Sequence, residues 1–176
     1  MSNAIVEVEA DVAAKVGSNG ARKVFGKKAM SAPKALNEAY RYQKPSSFSR
    51  GMRLDIKGIT ILMISGTASV GENGETVHPG NFGAQTRRAY QNVTDLLKSE
   101  GATWKDVVRT TCYLRDIERD YEEFNLIRTK FFAEQGLDVL PASTGIQAIL
   151  CWPSLLYEME AMAIFETPGA THTASE

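Results

Sequence analysis

A chain of 176 residues, 43% hydrophobic and 23% charged, can bury its own core and has the composition of an ordinary globular domain. Its formal net charge of −1 offers no basic surface to a phosphate backbone or an anionic membrane, which argues against nucleic-acid and membrane partners. Two cysteines without ligand spacing and two histidines, His78 and His172, supply neither a disulfide framework nor a histidine-based metal site or catalytic triad.

Residues 1–46 read as an N-terminal extension. Residues 4–16 have helix-compatible spacing, but Glu7, Glu9 and Asp11 stand where a secretory signal is apolar. No apolar run reaches membrane-spanning length, so a cytoplasmic protein is expected. Gly17-Ser18-Asn19-Gly20 breaks the helical pattern, a basic segment over 22–28 follows, and a short helix is predicted over 35–42 before Pro45.

The main domain is predicted over 47–168, with 169–176 as a tail. Residues 52–56 and 59–66 are strand-like runs joined at Lys57-Gly58, and Asn73-Gly74 marks a tight turn. Pro79-Gly80 opens a helix in which Ala89, Val93, Leu96 and Leu97 recur at helical spacing until Gly101 stops it. The β-branched run 107–114 is a strand. Asp120 and Glu123 have capping-box spacing for a second helix, which carries Tyr121, Phe124, Ile127 and Phe131 on one side and ends at Gly136. Runs 146–151 and 155–165 are the last two strands. The order is that of an α+β layer with its helices segregated to one face.

On the last strand Glu158 and Glu160 alternate with Tyr157, Met159 and Ala161, which places both carboxylates on one face. Cys112 lies in an apolar strand and reads as core. Cys151 has no histidine base at hand, so a pocket-lining role is expected of it rather than nucleophilic attack. His78 reads as a polar loop residue, and most arginines as solvent-facing.

The run Leu140-Pro141-Ala142-Ser143-Thr144-Gly145, followed by Cys151-Trp152-Pro153 and Tyr157-Glu158-Met159-Glu160-Ala161, resembles the C-terminal motif of the RidA/YjgF family. These are small trimeric proteins whose characterised members hydrolyse reactive imines and enamines. The family motif runs Pro-Ala-Arg, with a glutamate fifteen residues after the arginine. Glu158 stands fifteen residues after position 143, where Ser143 replaces the arginine. Ser65-Gly66-Thr67, Ala84-Gln85-Thr86-Arg87 with Asn92, residues 106–111 and Phe124-Asn125 extend the resemblance over 47–165. It implies a chorismate-mutase-like six-stranded sheet with two helices on one face, assembled as a homotrimer with sites in clefts between subunits.

The resemblance also implies a cofactor-free enzyme with no metal, acting on a small-molecule metabolite. The chemistry it implies is hydrolase, deaminase or lyase-type acid–base work on an imine, enamine or enol-ether-like substrate. Glu158 is the expected catalytic residue, and Ser143, Thr144, Asn125, Phe48, Cys151 and Trp152 are expected to bind substrate. Phe48 stands where the family has a tyrosine, so a hydroxyl as well as the arginine is absent. Arg50, Arg53 and Arg87 are candidates for a replacement anion anchor.

Ser65-Gly66-Thr67-Ala68-Ser69, His78-Pro79-Gly80 and the stretch from Gln147 through Cys151 to Glu158 also look like the YjgF-like portion of chorismatases, enzymes about twice this length. Two other functional readings stand beside the enzyme. A non-catalytic ligand-binding or regulatory trimer is permitted by the absent arginine. A ribonuclease is disfavoured by neutral charge and by the lack of a histidine pair and a basic aromatic surface.

Overall fold

The computed structural model describes residues 25–33, 36–42 and 45–169. Six strands make one sheet: β1 (Gly26–Ala29), β2 (Gly51–Ile56), β3 (Ile59–Ala68), β4 (Val107–Leu114), β5 (Ala142–Gln147) and β6 (Tyr157–Glu166). Their spatial order is β1-β2-β3-β6-β4-β5, with only β4 and β5 parallel. Two helices, α1 (Phe82–Ser99) and α2 (Ile117–Glu134), cover one face. The α+β architecture is therefore the one the sequence implies, and among the described residues no helix is long and apolar enough to cross a membrane.

The last strand in sequence lies inside the sheet. β6 alternates strictly: Tyr157, Met159, Ala161 and Ala163 are buried toward the helices. Against them packs the apolar stripe of α1, with Ala89, Tyr90, Val93, Leu96 and Leu97. Phe124 of α2 meets the Tyr157 ring at 5.5 Å and Tyr90 meets it at 6.2 Å, so one tyrosine joins both helices to the sheet. Cys112 is fully buried here, and burial pushes its thiol up, away from the reactive thiolate.

Among the described residues no helix lies over the opposite face. Register places Met63 and Met162 side by side, with Ile61 beside Ile164 and Ile59 beyond. Met63 is 47% exposed, Ile164 39% and Ile59 36%, an apolar stripe in solvent. Tyr113, Glu158 and Ile146 continue that same face toward the β5 edge.

The turns behave as their residues dictate. Lys57 and Gly58 both take positive φ, 48° and 85°, which matches the twist of a two-residue hairpin. Gly74 has φ 86°, and a side chain there would also collide with the Tyr42 ring.

Several boundaries differ from expectation. Residues 26–29, read as part of the extension, pair with β2 as the sheet edge, and Met30, Leu36, Ala39 and Tyr42 are buried behind them. The helix predicted over 35–42 is one short 3-10 turn, Ala39–Arg41, among its described residues. Helix α1 starts two residues after Gly80, because the Asn81 side chain accepts the Ala84 N–H at 2.9 Å and caps it. Helix α2 starts at Ile117, not at Asp120: Asp116 Oδ1 takes the Arg119 N–H, while Asp120 is buried in the helix and pairs with Arg119 at 2.7 Å.

The strand predicted over 146–151 lies earlier, at Ala142–Gln147. Its ladder follows β4 and ends with it, at Leu114 opposite Gln147, which leaves Ile149 95% exposed in the loop beyond. As an edge strand exposed at every residue, β5 has no burial pattern to announce it. The helix predicted over 4–16, its break at 17–20 and the tail beyond 169 lie outside the described residues.

Asn92 ties the helix layer to the end of β3. Its Nδ2 donates to the carbonyls of Ala68 at 3.0 Å and Val70 at 3.1 Å, with the side chain fully buried. Asn92→Ala leaves both carbonyls unpaired in the core and is expected to cost about 1–3 kcal/mol. A lowered urea midpoint with an unchanged m-value is the expected readout.

Candidate active site

Where β3 meets β6, the register shifts between Ile64 and Thr67, so Ser65 and Gly66 form a bulge. The Glu158 carboxyl lies over Gly66, where a Cβ would overlap Oε1. Glycine at 66 is thus a space requirement. Burial, and then the like charge of Glu160 two residues on, hold the Glu158 carboxyl above its ordinary 4.5.

That carboxyl faces a cavity of about 100 Å³, several times what one water needs. Its walls include Tyr42, Phe48, Arg50, Cys151, Trp152 and Glu158. The Tyr42 and Trp152 rings meet at 6.5 Å, so the cavity is aromatic on one side and ionisable on the other.

The loop carrying Cys151 and Trp152 is held by side chains from three directions. Arg115 donates to the carbonyls of Trp152 at 2.7 Å, Leu150 at 3.5 Å, and Leu155. The buried amide of Gln85 donates to the Ser154 carbonyl at 2.9 Å and to the His78 carbonyl at 3.1 Å, and accepts from the Leu156 N–H at 2.8 Å. Thr76 and Ser154 hydroxyls share a hydrogen bond of 2.7 Å. His78 itself is exposed, at φ 58°, and serves the site through its backbone carbonyl.

The structure brings Phe48, Cys151, Trp152 and Glu158 to one cavity. It does not bring Ser143, Thr144 and Asn125 there within a single chain. Ser143 pairs with Thr110, which faces the helices, and its Oγ accepts from Thr110 Oγ1 at 3.0 Å and from Arg128 Nη1 at 3.2 Å. Asn125 accepts from the other arm of the same guanidinium. Thr144 lies on the uncovered face and accepts from Arg109 at 3.3 Å. Neighbouring residues of one strand must point to opposite faces, so Ser143 and Thr144 cannot share a side.

Of the arginines considered as anion anchors, Arg53 is engaged by Asp55 and Glu100, and Arg87 is exposed. Arg50 lines the Glu158 cavity. Tyr42, Gly66, Gln85 and Arg115 were not among the site residues expected from sequence. Gly66 and Gln85 stand in motifs that carry the family resemblance, and the reason for the glycine became visible only with Glu158 above it. Among the described residues no group of three or more His, Cys, Asp or Glu could hold a metal ion.

The fold is that of a known class. The model of the family described as Endoribonuclease L-PSP matches residues 43–165, and the chain belongs to that family, the RidA/YjgF group. The 3-aminoacrylate deaminase RutC of Acinetobacter baylyi is 32% identical over 107 residues, 61% of this chain and 81% of that protein. A RutC family protein of Pyrococcus abyssi is 34% identical over 95 residues, covering 54% and 70%. Among solved structures, the yjgF gene product of Escherichia coli superposes with TM-score 0.63 at 24% identity, covering 78% of this chain and 98% of that one. E. coli TdcF with bound serine superposes with TM-score 0.64 at 21% identity, covering 79% and 99%.

Gly66→Ala tests the seat of the carboxyl. The added methyl displaces a flexible side-chain end rather than backbone, so folding should survive. Carbon-13 carboxyl titration is expected to show the Glu158 pKa falling toward 4.5. An unchanged value would mean that the carboxyl is not held over residue 66.

Proposed function

We propose that this protein is a cofactor-free enzyme that hydrolyses a small imine or enamine with release of ammonia, using Glu158 as the proton-transfer group. The observation that supports this most is the desolvated carboxyl facing the small aromatic-walled cavity. A carboxyl that holds its proton more tightly than a free glutamate is suited both to give and to take one. Membership of a family that includes a relative named as a 3-aminoacrylate deaminase supports the same class of reaction.

The steps need only water and this one group. Protonated Glu158 gives its proton to the β-carbon of an enamine, which becomes an iminium ion. A water molecule adds to the iminium carbon while the Glu158 carboxylate takes its proton. Glu158 passes that proton to nitrogen, the carbon–nitrogen bond breaks, and ammonia leaves as the carboxylate takes the remaining hydroxyl proton, which forms the carbonyl and restores protonated Glu158. An imine substrate enters at the second stage after protonation on nitrogen. Phe48 and Trp152 wall the substrate on the aromatic side, and Cys151 contributes shape.

The active form in this proposal is a homotrimer. The apolar stripe of Met63, Ile164 and Ile59 lacks a covering layer among the described residues, and a second copy of this face would bury it. Assembly would also let the Ser143–Asn125–Arg128 cluster of one subunit approach the Glu158 cavity of another. Light scattering at micromolar concentration is expected to give three times the chain mass, and a monomer would remove any shared cleft.

A second reading, a ligand-binding trimer without catalysis, is favoured by one observation: Ser143 supplies no charge where the family motif has arginine. Glu158→Gln separates the two. With proton transfer worth roughly 10²- to 10⁴-fold, the variant should lose nearly all ammonia release from an enamine generated in situ, while trimer content is unchanged. Equal turnover by wild type and variant would leave only the binding role.

The same substitution has a signed effect on stability. A carboxyl whose pKa is raised in the folded state stabilises the fold below its unfolded pKa and loses that contribution as pH rises through the folded value. Glu158→Gln should therefore melt higher than wild type at neutral pH. The difference should vanish on acidification below about pH 4.5, the carboxyl's ordinary value. A difference independent of pH would assign the effect to packing.

A further inference from the structure

Arg50 is a charged side chain only 3% exposed, and among the described residues no carboxylate lies within ion-pair distance of it. Unpaired buried charges are costly and rare, so its setting calls for an account. The guanidinium is fixed in place rather than mobile. Nε and Nη2 donate to the Asn37 carbonyl at 2.9 and 2.8 Å, and Nη2 also donates to the Tyr42 hydroxyl. The group sits 4.8 Å from the Tyr42 ring centre and 5.4 Å from that of Phe48.

These contacts use three of its five N–H groups. The two on Nη1 make no hydrogen bond among the described residues. Burial lowers the guanidinium to about 10, with Glu38 acting through space to raise it, so it is a full cation at neutral pH. It lines the same cavity as Glu158, Phe48 and Trp152.

We propose that Arg50 is the anion-binding residue of the Glu158 cavity, pairing with a carboxylate of the ligand through Nη1 so that the cavity selects small anions over neutral molecules of the same shape. This deepens the proposed function and rests on its choice of cavity. Arg50 then takes over the charge that Ser143 lacks, from the segment just before β2 and on the Glu158 side of the sheet. An anion held there also acts on the acid–base group. Glu158 already feels Glu160, and a third negative charge beside them raises its pKa further and favours the proton-donating form.

Crotonate and its neutral isostere crotonamide test the assignment by titration calorimetry on the full chain at neutral pH. Wild type is expected to bind crotonate at least about tenfold more tightly, as a charge-assisted hydrogen bond requires. Arg50→Gln should remove the preference, Arg50→Lys should keep part of it, and Arg87→Gln, at an exposed arginine away from the cavity walls, should leave it intact. Equal binding of the two probes, or no saturable crotonate binding at about 10 mM, overturns the proposal. So does a preference kept in Arg50→Gln or lost in Arg87→Gln.

Should Arg50→Gln not fold, wild type alone decides. Saturation with crotonate must raise the Glu158 pKa in carbon-13 titration, crotonamide must not, and equal responses reject the role. Glu158→Gln is expected to keep the crotonate preference. The anion site and the acid–base reading therefore fail separately: the first by charge selectivity of binding, the second by turnover.

Discussion

The structure depends most on one missing methyl group. Between Ile64 and Thr67 the central strand pair loses register, and the bulge puts Gly66 beneath the Glu158 carboxyl. With any larger residue there the carboxyl would have to swing aside. In its seat it is half-buried, beside a like charge, and holds its proton more tightly than a free glutamate. The stretch that breaks the ladder is therefore also what sets the chemistry of its ionisable group.

Around that seat, the fold spends its buried polar groups on holding the irregular chain still. Gln85 on α1, Arg115 after β4 and Asn92 on α1 each reach backbone carbonyls that no strand or helix satisfies. A loop that carries Cys151 and Trp152 to the cavity would otherwise leave unpaired carbonyls beside the core, at a cost the small domain cannot absorb repeatedly. None of these three side chains lines the cavity. They turn a loop into a wall.

The polar residues divide between two faces because β5 obeys the period of a strand. Ser143 looks toward α2, where Arg128 and Asn125 receive it, while Thr144 and Glu158 share the uncovered face. Arg50 supplies a buried cation on the Glu158 side from the segment between the 3-10 turn and β2, held by Asn37 and Tyr42. That placement means the motif position alone does not define how charge is delivered to the cavity.

Much of the fold was legible because its signals are local. The 3.6-residue stripe of Ala89, Val93, Leu96 and Leu97, the Lys57-Gly58 hairpin and the alternation of β6 each report a backbone period or a left-handed turn, which neighbouring residues alone dictate. The spacing from position 143 to Glu158 likewise carried the family register. Edge strands were not legible: β1 hid in a basic segment and β5 in Ser-Thr-Gly, since strands paired on one side need no apolar face. Nor was the cavity, since Tyr42, Phe48, Arg50, Gly66, Trp152 and Glu158 come from segments that together span more than a hundred residues of sequence. The sequence by itself determined the class, the helices and the face on which Glu158 lies. Only the tertiary structure decided that Arg50 is buried beside it while Ser143 faces away, because desolvation and close approach depend on which distant segments pack together.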